Sequence, residues 1–137
     1  MTPIRVVAAA LFAPDHRVLI AERPPGRHMA GRWEFPGGKV AEGESDASAL
    51  ARELKEELGI EVLAARFLLE ITHRYEDRCV VLSLWIVERF RGEPRGLDSQ
   101  RLKWVSPAGL LDEDILEADR PFIEALQHER PDAKRSG

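Results

Sequence analysis

Cysteine, tyrosine and methionine are nearly missing from this chain, which has 1, 1 and 2 of them among 137 residues. The lone cysteine, Cys79, lies in an apolar run. It excludes an internal disulfide and reads as a buried core thiol, so the fold must be held by hydrophobic packing. Positive charge is not in excess either. Against 24 Asp and Glu stand 20 Lys and Arg, a net charge of −4 with a pI near 5.6. Without a basic field, binding to a nucleic-acid polymer through its phosphates is not implied. A small phosphorylated ligand stays compatible, because a local pair of cations or a bound metal suffices for it. Long hydrophobic runs are missing too. The run IRVVAAALF at 4–12 is too short to cross a bilayer, and the start lacks a basic stretch with a small-residue cleavage site behind it. The expectation is a cytoplasmic protein with no membrane partner.

What is present is enough for one core. A hydrophobic content of 44% in 137 residues fits a single domain over 1–128, followed by a polar tail at 129–137 that frays. Residues 4–12 read as a buried strand and 17–22 as a second one after the turn at Pro14, Asp15 and His16. Residues 23–39 read as loop. A bulged strand at 61–73 and a strand at 78–89 are separated by a polar turn at Glu76 and Asp77, as in a hairpin. A short strand at 101–105, at most one helical turn in SPAGLL and a final helix near 119–128, with Pro121 in its first turn, complete the chain. Strands flanking two helices in this order predict an α+β fold, a mixed sheet sandwiched between helices.

The chain is organised around Gly38 to Ile60, a loop feeding a short helix. Glu53, Glu56 and Glu57 sit at i, i+3 and i+4, so a helix places all three on one face, where they repel one another. An apolar stripe of Ala47, Leu50, Ala51, Leu54 and Leu58 lies about a third of a turn away and can pack on a sheet. Ser45 is a good N-cap, Asp46 suits the positive end of the dipole and Gly59 suits a left-handed C-cap. A self-repelling cluster of oxygen donors favours a hard divalent cation, Mg2+ or Mn2+, over zinc. Pro36, Gly37 and Gly38 allow a sharp turn whose exposed carbonyls could join the ligands.

The stretch meets the pattern G-x5-E-x7-R-E-U-x-E-E-x-G-U, with U aliphatic, at Gly38, Glu44, Arg52, Glu53, Leu54, Glu56, Glu57, Gly59 and Ile60. Ordinary residue frequencies give a chance match on the order of one in ten million for a chain this size. It resembles the Nudix box. Further strings resemble the MutT branch of the Nudix hydrolases, which cut nucleoside triphosphates. They are Arg23, HMA at 28–30, WEFPGGK at 33–39, VERF at 87–90, GEP at 92–94 and ADRP at 118–121. The order of elements fits from Val6 to Leu126.

The resemblance implies Mg2+-dependent hydrolysis of a (deoxy)nucleoside triphosphate to the monophosphate and pyrophosphate, with 8-oxo-dGTP as favoured substrate in a pool-sanitising role. It assigns Glu53, Glu56 and Glu57 to the metal, with the Gly37 carbonyl nearby, and leaves open which carboxylate activates water. Arg52 would orient the glutamates, and Glu44 would tie the loop to the helix. Asp98 stands where MutT proteins often have a glutamate and would be an auxiliary ligand or base. Arg23 and Lys39 would meet phosphates or the nucleotide, and Arg78 would edge the base pocket. Phe35 would line that pocket or else serve as a core aromatic. Asp119 departs from the asparagine that reads the oxidised guanine in MutT. An ionised aspartate only accepts hydrogen bonds, which suits the amino group of cytosine and makes CTP or 5-methyl-dCTP the alternative substrate. Capping of the last helix is the other role open to Asp119. The implied partner is a small nucleotide, and the chain is expected to be a monomer or homodimer. An ADP-ribose or dinucleotide hydrolase and a nucleotide sensor without turnover are the remaining readings, the latter opposed by the intact box.

Overall fold

The structure, a computed structural model, describes residues 2–129. Its strands are β1 (Ile4–Leu11), β2 (Val18–Glu22), β3 (Trp33–Glu34), β4 (Gly37–Lys39), β5 (Glu61–Arg74), β6 (Cys79–Arg91) and β7 (Leu102–Val105). Its helices are α1 (Asp46–Leu58) and α2 (Arg120–Leu126), the latter preceded by 3-10 turns at Ala108–Asp112 and Glu117–Asp119. The frayed tail expected at 129–137 falls, from residue 130 on, outside the described residues.

β1 is central because both its faces are apolar. Successive side chains of a strand point to opposite faces. Val7, Ala9 and Leu11 pack with Leu50, Leu54 and Leu58 of α1, whereas Ala8 and Ala10 share a second cluster with Leu84, Phe122, Ile123 and Leu126. The sheet therefore lies between the two helices, as expected for an α+β sandwich.

The expected mixed sheet is present between the helices, and a second, smaller sheet accompanies it. The first, in order β4-β1-β6-β5, is mixed, with β1 parallel to β6 and the other pairs antiparallel. The second, β3-β2-β7, is antiparallel throughout. Both edges of β1 are occupied, by β4 and β6, and β2 belongs to the other sheet; the chain just past β1 meets it at the bridge between Phe12 and Val18.

The stretch 33–39, expected as loop, contains β3 and β4. Strands of two and three residues carry no period to read. Glycine makes the second one feasible: a Cβ on Gly37 would lie 1.9 Å from the Val7 carbonyl oxygen. Only a residue without a side chain lets β4 approach β1 that closely.

The ends of α1 are as the sequence implies. Ser45 Oγ accepts from the Ser48 N–H at 3.1 Å, and Gly59 is left-handed at φ 71°. The buried face differs from the expected stripe: Ala49 completes it, while Ala47 is exposed and Ala51 only partly buried. The first turn is fixed on β1 by the ion pair of Asp46 with Arg5 at 2.7 Å. At about 100° per residue, Glu53 and Glu57 fall inside the arc between Ala49 and Leu50, and Glu56 falls outside it. β5 is bulged, with register shifts at Val62/Ala64, Ala64/Ala65 and Phe67/Leu69.

Candidate active site

The three glutamates of the helix have unlike environments. Glu57 Oε2 accepts the backbone N–H of Gly37 at 3.1 Å. Burial, and then the charge of Glu53, push its carboxyl up to about 8. Glu53 is also raised by burial, against the pull of Arg52. It lies so near Gly38 that a Cβ there would fall 2.2 Å from Glu53 Oε2. Glu56 is turned outward, its side chain 54% exposed, and Arg52 Nη1 donates to its Oε2 at 3.0 Å.

Arg52 joins the parts of the loop. Its Nε donates to Glu44 Oε2 at 2.7 Å and its Nη2 to Glu44 Oε1 at 2.9 Å and to the Lys39 carbonyl at 3.0 Å. Glu44 also accepts from the Ala41 N–H at 2.9 Å, and the Arg52 hydrogen bonds hold its carboxyl down to about 2. Glu44 thus ties the loop to the helix and is not turned to the other carboxylates. Arg52 reaches Glu56 directly and comes within 3.6 Å of Glu53 Oε2.

Among the described residues no three His, Cys, Asp or Glu side chains are gathered closely enough to hold a metal ion as they stand. Glu56 is engaged by Arg52. Asp98 is exposed in the loop after β6, where its N–H donates to Gln100 Oε1 at 2.8 Å. Asp98 nonetheless shares a narrow cleft with Glu34 and Glu57, and its charge adds to the upward push on Glu57. Glu53 and Glu57, half-buried carboxylates with raised proton affinity, are what a hard cation would relieve, so their chemistry fits a divalent metal.

Beside this shelf opens a cleft of about 280 Å³ lined by apolar side chains of β1 and β6 and by Phe35, Asp119, Glu34 and Lys39. Phe35 is both wall and core: it is 3% exposed and packs on Phe122 with ring centroids 6.2 Å apart. Asp119 is 6% exposed, and its Oδ2 accepts the Phe35 N–H at 3.1 Å. Burial, and then the charge of Glu34, push it up to about 7. The expected alternative, that Asp119 caps the last helix, is not what its side chain does: it makes no capping hydrogen bond. The N-cap carboxylate is spent on Phe35 because the segment before α2 runs alongside β3, where the Leu116 N–H donates to the Trp33 carbonyl at 2.9 Å.

Arg23 lines the cleft but is engaged. Its Nη1 donates to Glu34 Oε1 at 2.9 Å and its Nε to the His28 carbonyl at 2.7 Å. Lys39 is exposed at the rim. Arg78 is not among the lining residues. It sits at the β5–β6 turn with its guanidinium 4.6 Å from the ring centroid of Tyr75, and Tyr75 lines the cleft. Glu34, Arg27 and Tyr75 also line it without having been singled out from the sequence. Glu34 lies in a two-residue strand, and Tyr75, the only tyrosine, at a hairpin turn, so no periodicity marks either.

Comparison with known proteins agrees with this arrangement. The model of the NUDIX domain matches residues 1–126. The CTP pyrophosphohydrolase of Escherichia coli K12 is 40% identical over 120 residues, covering 88% of this chain and 89% of that protein. The 8-oxo-dGTP diphosphatase of the same organism is 34% identical over 127 residues, covering 93% and 98%. The solution structure of the E. coli ORF135 protein superimposes with a TM-score of 0.84 at 38% identity, over 93% of this chain and 90% of that one. With the box folded onto α1, the loop clasped by Arg52 and Glu44 and a sandwich of this topology, the chain belongs to the NUDIX family, as a hydrolase of the MutT type.

Proposed function

We propose that this protein hydrolyses a (deoxy)nucleoside triphosphate to the monophosphate and pyrophosphate, with Mg2+ as its metal and Mn2+ as a substitute. The observation that carries the reading is the junction of two dissimilar clefts. One has apolar walls from β1 and β6 with Phe35 and Asp119 beside them, the other is lined by the carboxylates Glu22, Glu34, Glu57 and Asp98, and Glu34 and Glu57 line both. A nucleobase suits the first and a metal-bound polyphosphate the second.

Each residue has a task in that reading. Phe35 offers its ring to the base, and Asp119 reads the base's polar edge. Glu53, Glu56 and Glu57, with Asp98 and the Gly37 carbonyl, would hold the divalent ion. When bound, that ion neutralises charge on the phosphates and makes water a better nucleophile. Glu53 or Glu57, each with raised proton affinity, takes the proton as the water oxygen bonds to phosphorus and the anhydride bond to pyrophosphate breaks. Arg52 holds Glu56 and the loop in place, and Lys39 stands at the rim for the phosphates.

8-Oxo-dGTP is the favoured substrate, which gives the protein a role in cleaning the nucleotide pool. CTP is the second reading, supported by Asp119: ionised, it accepts from a cytosine amino group, and the relative named CTP pyrophosphohydrolase is 40% identical. The deciding experiment is kcat/KM with Mg2+ for 8-oxo-dGTP, dGTP, CTP, 5-methyl-dCTP and ADP-ribose, repeated after chelation. We expect turnover of 8-oxo-dGTP or CTP that chelation abolishes. Turnover of ADP-ribose alone, or of nothing, would refute the reading.

A further inference from the structure

Three residues line both the apolar cleft and the carboxylate cleft: Arg27, Glu34 and Glu57. Two are carboxylates and one is a cation. A polyphosphate passing from a base in the first cleft to the shelf in the second must go by all three. Of the other arginines of this loop, Arg23 is paired with Glu34 at 2.9 Å and Arg32 with Asp114 at 3.3 Å. Arg27 has no carboxylate within ion-pair distance among the described residues, and its charge reaches Glu34 through space.

The loop holds Arg27 in place. Its N–H donates to the Pro24 carbonyl at 3.3 Å, and its carbonyl accepts from the Ala30 N–H at 3.1 Å. The base of the loop is closed by Gly31 N–H to the Arg23 carbonyl at 3.0 Å and Arg23 N–H to the Arg32 carbonyl at 2.9 Å. The Arg23 guanidinium adds a strut to the His28 carbonyl. Backbone bonds on either side leave the Arg27 side chain exposed and directed to the clefts.

We infer that Arg27 is a polyphosphate-binding cation of this site, in addition to Lys39, bridging the base cleft and the carboxylate cleft, while Arg23 serves to build the loop that presents it. The inference rests on the proposed triphosphate hydrolysis. A guanidinium suits the task, since its planar fork of donors matches phosphate oxygens two at a time. It also offsets the repulsion that Glu34 and Glu57 exert on an incoming polyanion.

The test uses whichever of 8-oxo-dGTP and CTP the wild-type protein hydrolyses faster. Arg27→Ala should lower kcat/KM at least tenfold, mostly through KM. It should raise the inhibition constant of pyrophosphate by a similar factor and leave that of the nucleoside monophosphate within about twofold. Arg27→Lys, which keeps the charge but not the two-donor fork, should lose part of this affinity and fall at or between the wild-type and alanine values. Arg27→Ala with unchanged kinetics, or with both inhibitors weakened alike, overturns the assignment while leaving the proposed function standing. A wild-type protein that hydrolyses neither triphosphate overturns the functional reading and this inference with it.

Discussion

Asp119 Oδ2 accepts the backbone N–H of Phe35 at 3.1 Å, across 84 residues of sequence. The bond joins the start of α2 to the link between β3 and β4, and so ties the residue proposed to read the base to the aromatic beside it. It also places a carboxyl in a wall where ionisation is costly.

Stability should therefore depend on this group. Its folded value, about 7, lies above the ordinary 3.8, so between those values the native state binds more protons than the unfolded one. The stabilisation is fully present below 3.8 and is lost progressively as pH rises through about 7. Asp119→Asn keeps an acceptor for Phe35 and removes the titration. In urea unfolding it should flatten the decline and be more stable than wild type at pH 8, by at most a few kcal/mol. An unaltered slope would refute the burial argument.

Selectivity should titrate with the same group. A protonated Asp119 can donate as well as accept, which suits the O6 acceptor and N7–H donor of 8-oxoguanine, whereas the ionised form suits the amino group of cytosine. The ratio of kcat/KM for 8-oxo-dGTP over CTP should fall between pH 6 and pH 8. In Asp119→Asn the ratio should be high and independent of pH. A ratio that is flat in both proteins would remove Asp119 from base reading.

Glu57→Gln is the neutral isostere at the most perturbed carboxylate. It should lower kcat by about 10³-fold, in the range for loss of an acid–base or metal-holding group. The folded value near 8 against an ordinary 4.5 means that ionised Glu57 destabilises the metal-free protein as pH rises through 8. The variant's melting temperature at pH 9 should then equal or exceed that of wild type. Near-normal turnover would show that the shelf is not the reacting centre.

Two neighbouring glycines should separate chemistry from folding. In Gly38→Ala the new Cβ falls 2.2 Å from Glu53 Oε2, the far end of a side chain that can swing aside. The variant should fold with little change in melting temperature and lose about 10²-fold in kcat/KM, the cost of displacing a reacting group by about 1 Å. In Gly37→Ala the Cβ falls 1.9 Å from a backbone carbonyl of β1, which cannot move without breaking the β1–β4 pairing. That variant should be destabilised by about 3 kcal/mol or more. Equal effects of the two on melting temperature would contradict this division.

Much of this protein is determined by the sequence alone. The spacing of Glu53, Glu56 and Glu57, the caps Ser45 and Gly59, and the two-sided apolar run of β1 are local patterns, and local sterics and hydrogen bonding dictate their outcome. The family follows from the same short stretch. What only the tertiary structure decided depends on which distant groups share a small volume. Glu53 and Glu57 are half-buried and Glu56 is not, because packing on β1 chose the rotation of α1. Arg23 is spent on Glu34 and the loop, which leaves Arg27 facing both clefts. Asp119 meets Phe35 and not the end of its own helix, a pairing that no period in the chain encodes. Of the strands at 33–39, β4 forms because β1 offers an edge to a glycine pair, and β3 because β2 offers one to Trp33 and Glu34. Proton affinities follow from these placements, since burial and neighbouring charge act through space and not along the chain.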